Sequence, residues 1–477
     1  MKDKKKVETD KDTRFTEGPI LKSIILLTIP IVIGNLLQTM FQITDAFWVG
    51  KLGAEAVAAV SISFPIIFLI TALTGGIGLA GGVLVSQYKG KKEQEKVDHV
   101  TGQTLLMAIS FSLIFSVIGY LLTPYIIKFF GAEPAVFANA VSYLRISFMG
   151  MVFIFGYMVY QSLARAVGDA KTPVYIILTS VLLNFALDPL FIFGWKFIPA
   201  FGVGGAALAT LGTQAIAFFI GIFILSRGKK GIHLKKKHFK PDFSVMKKII
   251  LLGIPVSLEQ SSRSIGMILM TSIVAGFGTI VLASYGIGGQ MISLIVIPAL
   301  SLSIANSTLV GHNIGAGKIE RAEKIAKLST ILGFVVLTFI GVLMFIFAKP
   351  IIGIFIHDNI EVINEGSLYL RVMALFFGLM GINMSLLGTL RGSGNVGTTL
   401  KITGTTILVQ ILSAFILAKY VLHNEMGVYV SMPISSAVGA GLALIVFYRG
   451  KWKDKKLIES PQTMKKIEEE GEICELE

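Results

Sequence analysis

The 477-residue sequence holds one cysteine, Cys474, in an acidic C-terminal stretch, so no disulfide framework is open to it. It is also short of charge. Only 15% of its residues are Asp, Glu, Lys or Arg against 53% hydrophobic, which excludes a soluble globular protein of this length. Its six histidines are scattered, with no HExxH or paired spacing, so no metal centre is expected. No GxxxxGK[ST] occurs either, since "GHNIGAGK" has the wrong spacing and runs into Ile319, and ATP hydrolysis by this chain alone is not expected. "GIGLAG" at 76–81 matches GxGxxG letter for letter, yet no strand precedes it and it lies inside an apolar run. Small residues for close helix packing are the expectation there.

What the sequence has in abundance is long apolar runs. Twelve are long enough to cross a hydrocarbon core of roughly 30 Å as helices. They fall at about 23–48, 57–87, 100–130, 137–163, 173–194, 202–226, 249–275, 280–310, 329–356, 367–390, 399–421 and 427–448. The first follows a charged segment and has no small-residue cleavage site after it, so it reads as a retained helix. Of the 43 Lys and Arg, 35 fall in alternate connections that share one side with both termini, and five (Lys51, Lys128, Lys196, Lys349, Lys419) fall on the other. By the positive-inside rule both termini are expected to be cytoplasmic, in a multi-pass protein of the cell membrane. The net charge of +14 then sets orientation, and no nucleic-acid partner is expected.

Sliding the sequence on itself by 225–226 residues aligns "LLTIP" (26–30) with "LLGIP" (251–255) and Gly53 with Gly278. It also aligns "YLR" at 143–145 with 369–371, and "ARAVGDAKTP" (164–173) with "LRGSGNVGTT" (390–399). The expected fold is an all-α integral membrane protein of twelve transmembrane helices in two parallel six-helix repeats. Its expected divisions are a cytoplasmic tail 1–22, an N-lobe 23–226, a cytoplasmic linker 227–248, a C-lobe 249–448 and a cytoplasmic tail 449–477. Two parallel repeats with a site between them are a recurring design of secondary transporters.

Polar residues inside the runs carry the functional signal. Asn35, Gln38, Gln42 and Asp45, spaced 3, 4 and 3 apart, form one stripe on the first helix, facing protein or water. On the fifth helix "NFALDP" sets Asn184 and Asp188 at i and i+4, with Pro189 beside the acid. Asp45 lies five residues before Gly50 and Asp188 six before Gly194 on two helices that run the same way, which gives the carboxylates nearly equal depth. A buried Asp costs roughly 2.5–3.5 kcal/mol on insertion scales, so a matched pair asks for a compensating role. Thr210 and Tyr143 fall at similar depth, as coupling or packing residues, while Gln38 and Gln42 are expected to face a substrate cavity.

The chain resembles the multidrug and toxic compound extrusion (MATE) family over essentially its whole length, within it the prokaryotic branch related to the DNA-damage-inducible type. The resemblance rests on "TDAFWVGKLG", "ARAVGDAKTP", "NFALDPLFIFG" and "GVGGAALAT". It implies two lobes around a central cavity and export of amphipathic, often cationic, small molecules in exchange for H+ or Na+. It also implies no cofactor beyond the coupling ion, and membrane lipids and small substrates as the partners of a monomer. The family's N-lobe cation site carries over to Asp45, Asn184 and Asp188, and more loosely to Thr210 and Tyr143. These would hold Na+ if sodium is the ion. One departure stands out: other branches place an acid about eight residues after the proline of the seventh helix, where this chain has Arg263. Its only acid there is Glu259, expected to be structural because Arg263 sits at i+4.

Other functions fit less well. A lipid or lipid-linked oligosaccharide flippase of the same superfamily would line its cavity with several cations, and the runs hold only Arg145, Arg263 and Arg371. An intramembrane aspartyl protease would need YD and GxGD pairs where this chain has "TDA" and "LDP", and no filter-like motif suggests a channel.

Overall fold

A computed structural model describes residues 13–356, 359–454 and 457–458; Cys474 and most of both tails lie outside them. Among the described residues no strand forms beyond one bridge, Trp195 to Ile198. The helices are α1 (Ile20–Gly50), α2 (Ala54–Gly90), α3 (Gln94–Phe129), α4 (Pro134–Ala166), α5 (Lys171–Phe193), α6 (Val203–Arg227) and α7 (Phe243–Ala275). They continue as α8 (Thr279–Gly315), α9 (Ile319–Ile346), α10 (Ala348–Gly353), α11 (Ile360–Ala374), α12 (Phe377–Gly392), α13 (Val396–Ile416) and α14 (Met426–Tyr448).

Ten of these are long and apolar enough to cross a membrane, and α11 with α12, joined at a 52° bend, makes an eleventh span. The remaining run, 249–275, lies in the 33-residue α7, which "EQSSRS" at 259–264 makes less apolar than those ten. Several helices overshoot their apolar runs. The 37-residue α2 and α8 would reach about 55 Å at 1.5 Å per residue, well past a hydrocarbon core. The chain is an all-α, multi-pass membrane protein.

It folds into two compact units. One is Ile29–Lys89 with Glu93–Ser257; the other takes the described residues up to Thr28, Gly90–Lys92 and those from Leu258 onward. In the first, α4 packs against α3 and α6, and α5 against α6. In the second, α12 packs against α9 and α14, and α13 against α14. The same relations recur, so the 225-residue offset read from the sequence is also an offset in packing. Within "GIGLAG", a Cβ on Gly81 would lie 2.4 Å from the Thr104 side chain, and the Gly78 carbonyl accepts from Ser162 Oγ at 2.8 Å. These glycines bring α2 against α3 and α4, which is helix packing and not nucleotide binding.

The segment after α6 is tied down. Buried Gln103 of α3 donates through Nε2 to the His238 and Lys240 carbonyls (2.8 and 2.7 Å) and accepts from the Asp242 amide (2.9 Å). Asp98 accepts from the His233 amide at 2.8 Å, and His99 meets Asp242 at 3.0 Å.

Candidate functional site

Asp45, four helices' worth of sequence away from Thr210, meets it directly: Thr210 Oγ1 on α6 donates to Asp45 Oδ2 on α1 at 3.0 Å. On α5 the i, i+4 spacing brings Asn184 Nδ2 to Asp188 Oδ1 at 3.0 Å. Pro189, next to Asp188, has no N–H for the Phe185 carbonyl, which loosens the helix at the acid. Asn184 and Asp188 are wholly buried and Asp45 is partly so. The two carboxyls and the Asn184 amide lie within reach of one another, and Tyr143 on α4 is near enough to both acids to feel their charge. The structure therefore gathers Asp45, Asn184, Asp188, Thr210 and Tyr143 in one unit.

The hydrogen bonding of this cluster is incomplete in one sense only. Asp45 Oδ1, Asp188 Oδ2 and Asn184 Oδ1 are buried and accept no hydrogen bond among the described residues, so the cluster holds three oxygens without a donor. Two carboxylates at close range repel, and burial disfavours their charge. A shared proton or a small hard cation is what such an oxygen set accommodates. No group of three His, Cys, Asp or Glu side chains that could hold a metal forms among the described residues, so the site lacks the ligands of a transition-metal centre.

Gln38 and Gln42 part company. Gln42 is exposed on α1, while Gln38 lines a separate cleft nearer the other end of the helix. Sequence reasoning also missed Trp48, one turn beyond Asp45. Its ring packs on Phe185 (5.7 Å) and Phe193 (6.3 Å), and Lys51 Nζ sits 4.3 Å above it. The aromatic residues of "DAFWVG" and "FIFG" were the available signal.

The second unit answers differently at the matching positions. Asp45 corresponds to Met270 and Asp188 to Ser413 or Ala414; Met270 and Ala414 belong to one buried apolar cluster with Tyr369, the counterpart of Tyr143. Glu259 is wholly buried as well, but fully matched. Arg263 Nη2 (3.2 Å), Arg391 Nη2 (2.5 Å) and Thr403 Oγ1 (3.1 Å) donate to its Oε1, and Thr399 Oγ1 (3.0 Å) to its Oε2. The pairing with Arg263 was expected; Arg391 and the threonines were not.

A twice-repeated, membrane-spanning helical fold of this kind is that of a transporter, not an enzyme. The chain belongs to the MatE family, which matches it twice, over residues 30–190 and 255–416. The two matches begin 225 residues apart, the offset of the internal repeat. It is 30% identical to "Probable multidrug resistance protein YoeA" of Bacillus subtilis over 92% of this chain and 95% of that one. It is 26% identical to "Probable multidrug resistance protein NorM" of Thermotoga maritima over 95% and 96%. Among solved structures, a MOP superfamily transporter from Pyrococcus furiosus superposes with a TM-score of 0.85 at 25% identity, covering 93% of this chain and 98% of that one.

Proposed function

We propose that the protein is a secondary active multidrug efflux transporter of the cytoplasmic membrane, exporting amphipathic or cationic compounds in exchange for H+ or Na+ by alternating access. The observation that carries this is the Asp45–Asp188 pair, which with Asn184 holds three donor-free oxygens. Empty of a cation, two close buried carboxylates are unstable together; one bound charge relieves them. Entry of a proton or Na+ from outside would reduce the pair's charge from −2 to −1 and relieve the repulsion, and loss of the ion inside would restore it, so the pair alternates between two electrostatic states as access alternates. Thr210 and Asn184 orient the carboxylates, and Tyr143 borders them. One charge moving through 150 mV is worth roughly 3.5 kcal/mol, enough for a substrate gradient of a few hundredfold.

Both termini and the 227–248 linker are proposed to face the cytoplasm, with lobes 23–226 and 249–448 moving as the alternating parts of a monomer. The flippase reading is disfavoured by how the intramembrane cations are engaged. Arg145 lies 4.9 Å from the Tyr120 ring, Arg371 lies 5.8 Å from the Phe345 ring, and Arg263 pairs with Glu259.

The test is purified protein in liposomes, scored for movement of a cationic dye against imposed proton and sodium gradients. Asp45→Asn and Asp188→Asn are each expected to abolish gradient-driven dye movement while the protein stays folded. Undiminished driven transport by either variant would overturn the coupling site.

A further inference from the structure

The same helix that carries Asp45 passes a second pocket about 16 Å earlier, eleven residues back at Gly34. This cleft encloses about 50 Å³, room for a few water-sized groups, and is lined by Gly34, Gln38, Gln161, Arg165, Pro173 and Ile177 among others. Arg165, in the last turn of α4, brings a guanidinium that pairs with no acid among the described residues. Its Nε is buried without a hydrogen-bond partner. The nearest acid in sequence, Asp169, accepts from Thr172 N (3.1 Å) and Thr172 Oγ1 (2.6 Å) and stands 4.0 Å from Lys230.

The internal repeat shows what is missing. The alignment that superposes "LLTIP" on "LLGIP" places Gly34 on Glu259 and Gln38 on Arg263; the one that superposes "ARAVGDAKTP" on "LRGSGNVGTT" places Arg165 on Arg391. It also carries Pro173 onto Thr399 and Ile177 onto Thr403. Every residue that surrounds the Glu259 carboxylate thus has its counterpart around the cleft, and the residue supplying the carboxylate is a glycine. In the second unit the space is filled from within by Glu259, which balances Arg391. In the first unit the arginine is kept and the acid is not. Gly34 is not held small by crowding, since a Cβ there would meet only Val174 Cγ2 at an ordinary 3.6 Å. A void beside an unbalanced, partly buried guanidinium is costly unless something anionic enters.

We infer that the Gly34–Arg165 cleft binds the carboxylate of a small organic acid, seated where its internal twin holds the side chain of Glu259. Arg165 supplies a planar fork matched to two carboxylate oxygens, and the Gln38 and Gln161 amides supply neutral donors in place of Arg263 and the threonines. A carboxylate fits better than a spherical anion because the twin uses both oxygens, Oε1 toward the arginines and Oε2 toward Thr399. The site is distinct from the acid pair, and it stands whether or not that pair couples transport.

The experiment uses the purified full-length protein in detergent with ¹³C-acetate as probe, read by line broadening and by the shift in melting temperature. Wild type is expected to broaden the acetate signal saturably, with formate competing. Gly34→Glu, which supplies the carboxylate internally, is expected to weaken acetate binding at least about tenfold, the equivalent of ~1.4 kcal/mol, and to melt higher than wild type in acetate-free buffer. Should Gly34→Glu fail to fold, Arg165→Gln carries the same test, since it keeps a donor and removes the charge; it too is expected to lose binding about tenfold. Acetate bound equally by wild type and the folded variant would overturn the proposal. So would no saturable binding to wild type, or displacement by chloride as effective as by formate.

Discussion

Glu259 and Asp188 are both wholly buried acids, and their hydrogen-bonding surroundings are opposite. Glu259 accepts from two arginines and two threonine hydroxyls, so its charge is balanced in place and has no reason to leave. Asp188 has one amide donor and one bare oxygen. Glu259→Gln is therefore expected to destabilise the fold, toward the 3–5 kcal/mol typical of breaking a buried ion pair from one side, while the protein that remains folded keeps the ion coupling proposed for the acid pair. Thermal unfolding and gradient-driven uptake, measured on the same preparation, separate the two effects; loss of coupling in Glu259→Gln with Asp45→Asn unaffected would move the ion site to the second unit. The Asn184–Asp188 contact was legible in the sequence because a four-residue spacing fixes a face. Asp45 and Thr210 are 165 residues apart, and only matched depth pointed to their meeting. The Arg391–Glu259 contact, 132 residues apart, was illegible because neither residue's own helix pattern names a partner.

At the scale of elements, the connection between α6 and α7 departs most from its sequence. "KKGIHLKKKHFK" reads as a solvated basic loop, yet its carbonyls and amides are claimed by Asp98 and Gln103 of α3. A side chain that will reach into a loop cannot be recognised from its own helix, so polar Gln103 passed as part of a run. Gln103→Leu strips partners from three backbone groups and is expected to cost about 1–3 kcal/mol for each group left buried and unpaired. Faster tryptic cleavage at Lys235–Lys237 would report the release. Asp242, which opens α7, is held below the usual carboxylate range by His99 and by the Val245 and Ser244 amides. Because its folded value is depressed, its contribution is complete above the ordinary carboxylate range and is lost as pH falls through the lowered value. Hydrogen-exchange protection of the Ser244 and Val245 amides is accordingly expected to persist through mild acid and collapse only below it, and Asp242→Asn should flatten that profile.

For the whole molecule, apolar runs and their offset were enough to anticipate the helices and the twofold repeat, since lipid leaves a spanning backbone little choice but helix. The division into compact units was less transparent at the N-terminus. Orientation remains the property most directly open to measurement. With Cys474 replaced by Ser, cysteines introduced at Lys236 and at Glu361 are expected to react with an impermeant maleimide from opposite faces of the membrane, Lys236 from the cytoplasmic one; reaction from the same face would break the twelve-helix count, and Lys236 reacting from outside would overturn the orientation. The first described residues carry a further consequence. Phe15 packs edge-on against His312 with centroids 5.6 Å apart, its carbonyl accepts from Asn313 at 3.1 Å, Lys318 pairs with Glu17, and Arg321 donates to the Gly18 carbonyl. The contact from Phe15 to Asn313 spans 298 residues. During synthesis at roughly 5–20 residues per second, the leading end of the chain waits roughly 15–60 s for its docking surface to be made. Helix α1 thus enters the bilayer with its leading end undocked, and the last of its anchoring is a late event in biogenesis, set by the ribosome's pace through α8 and α9.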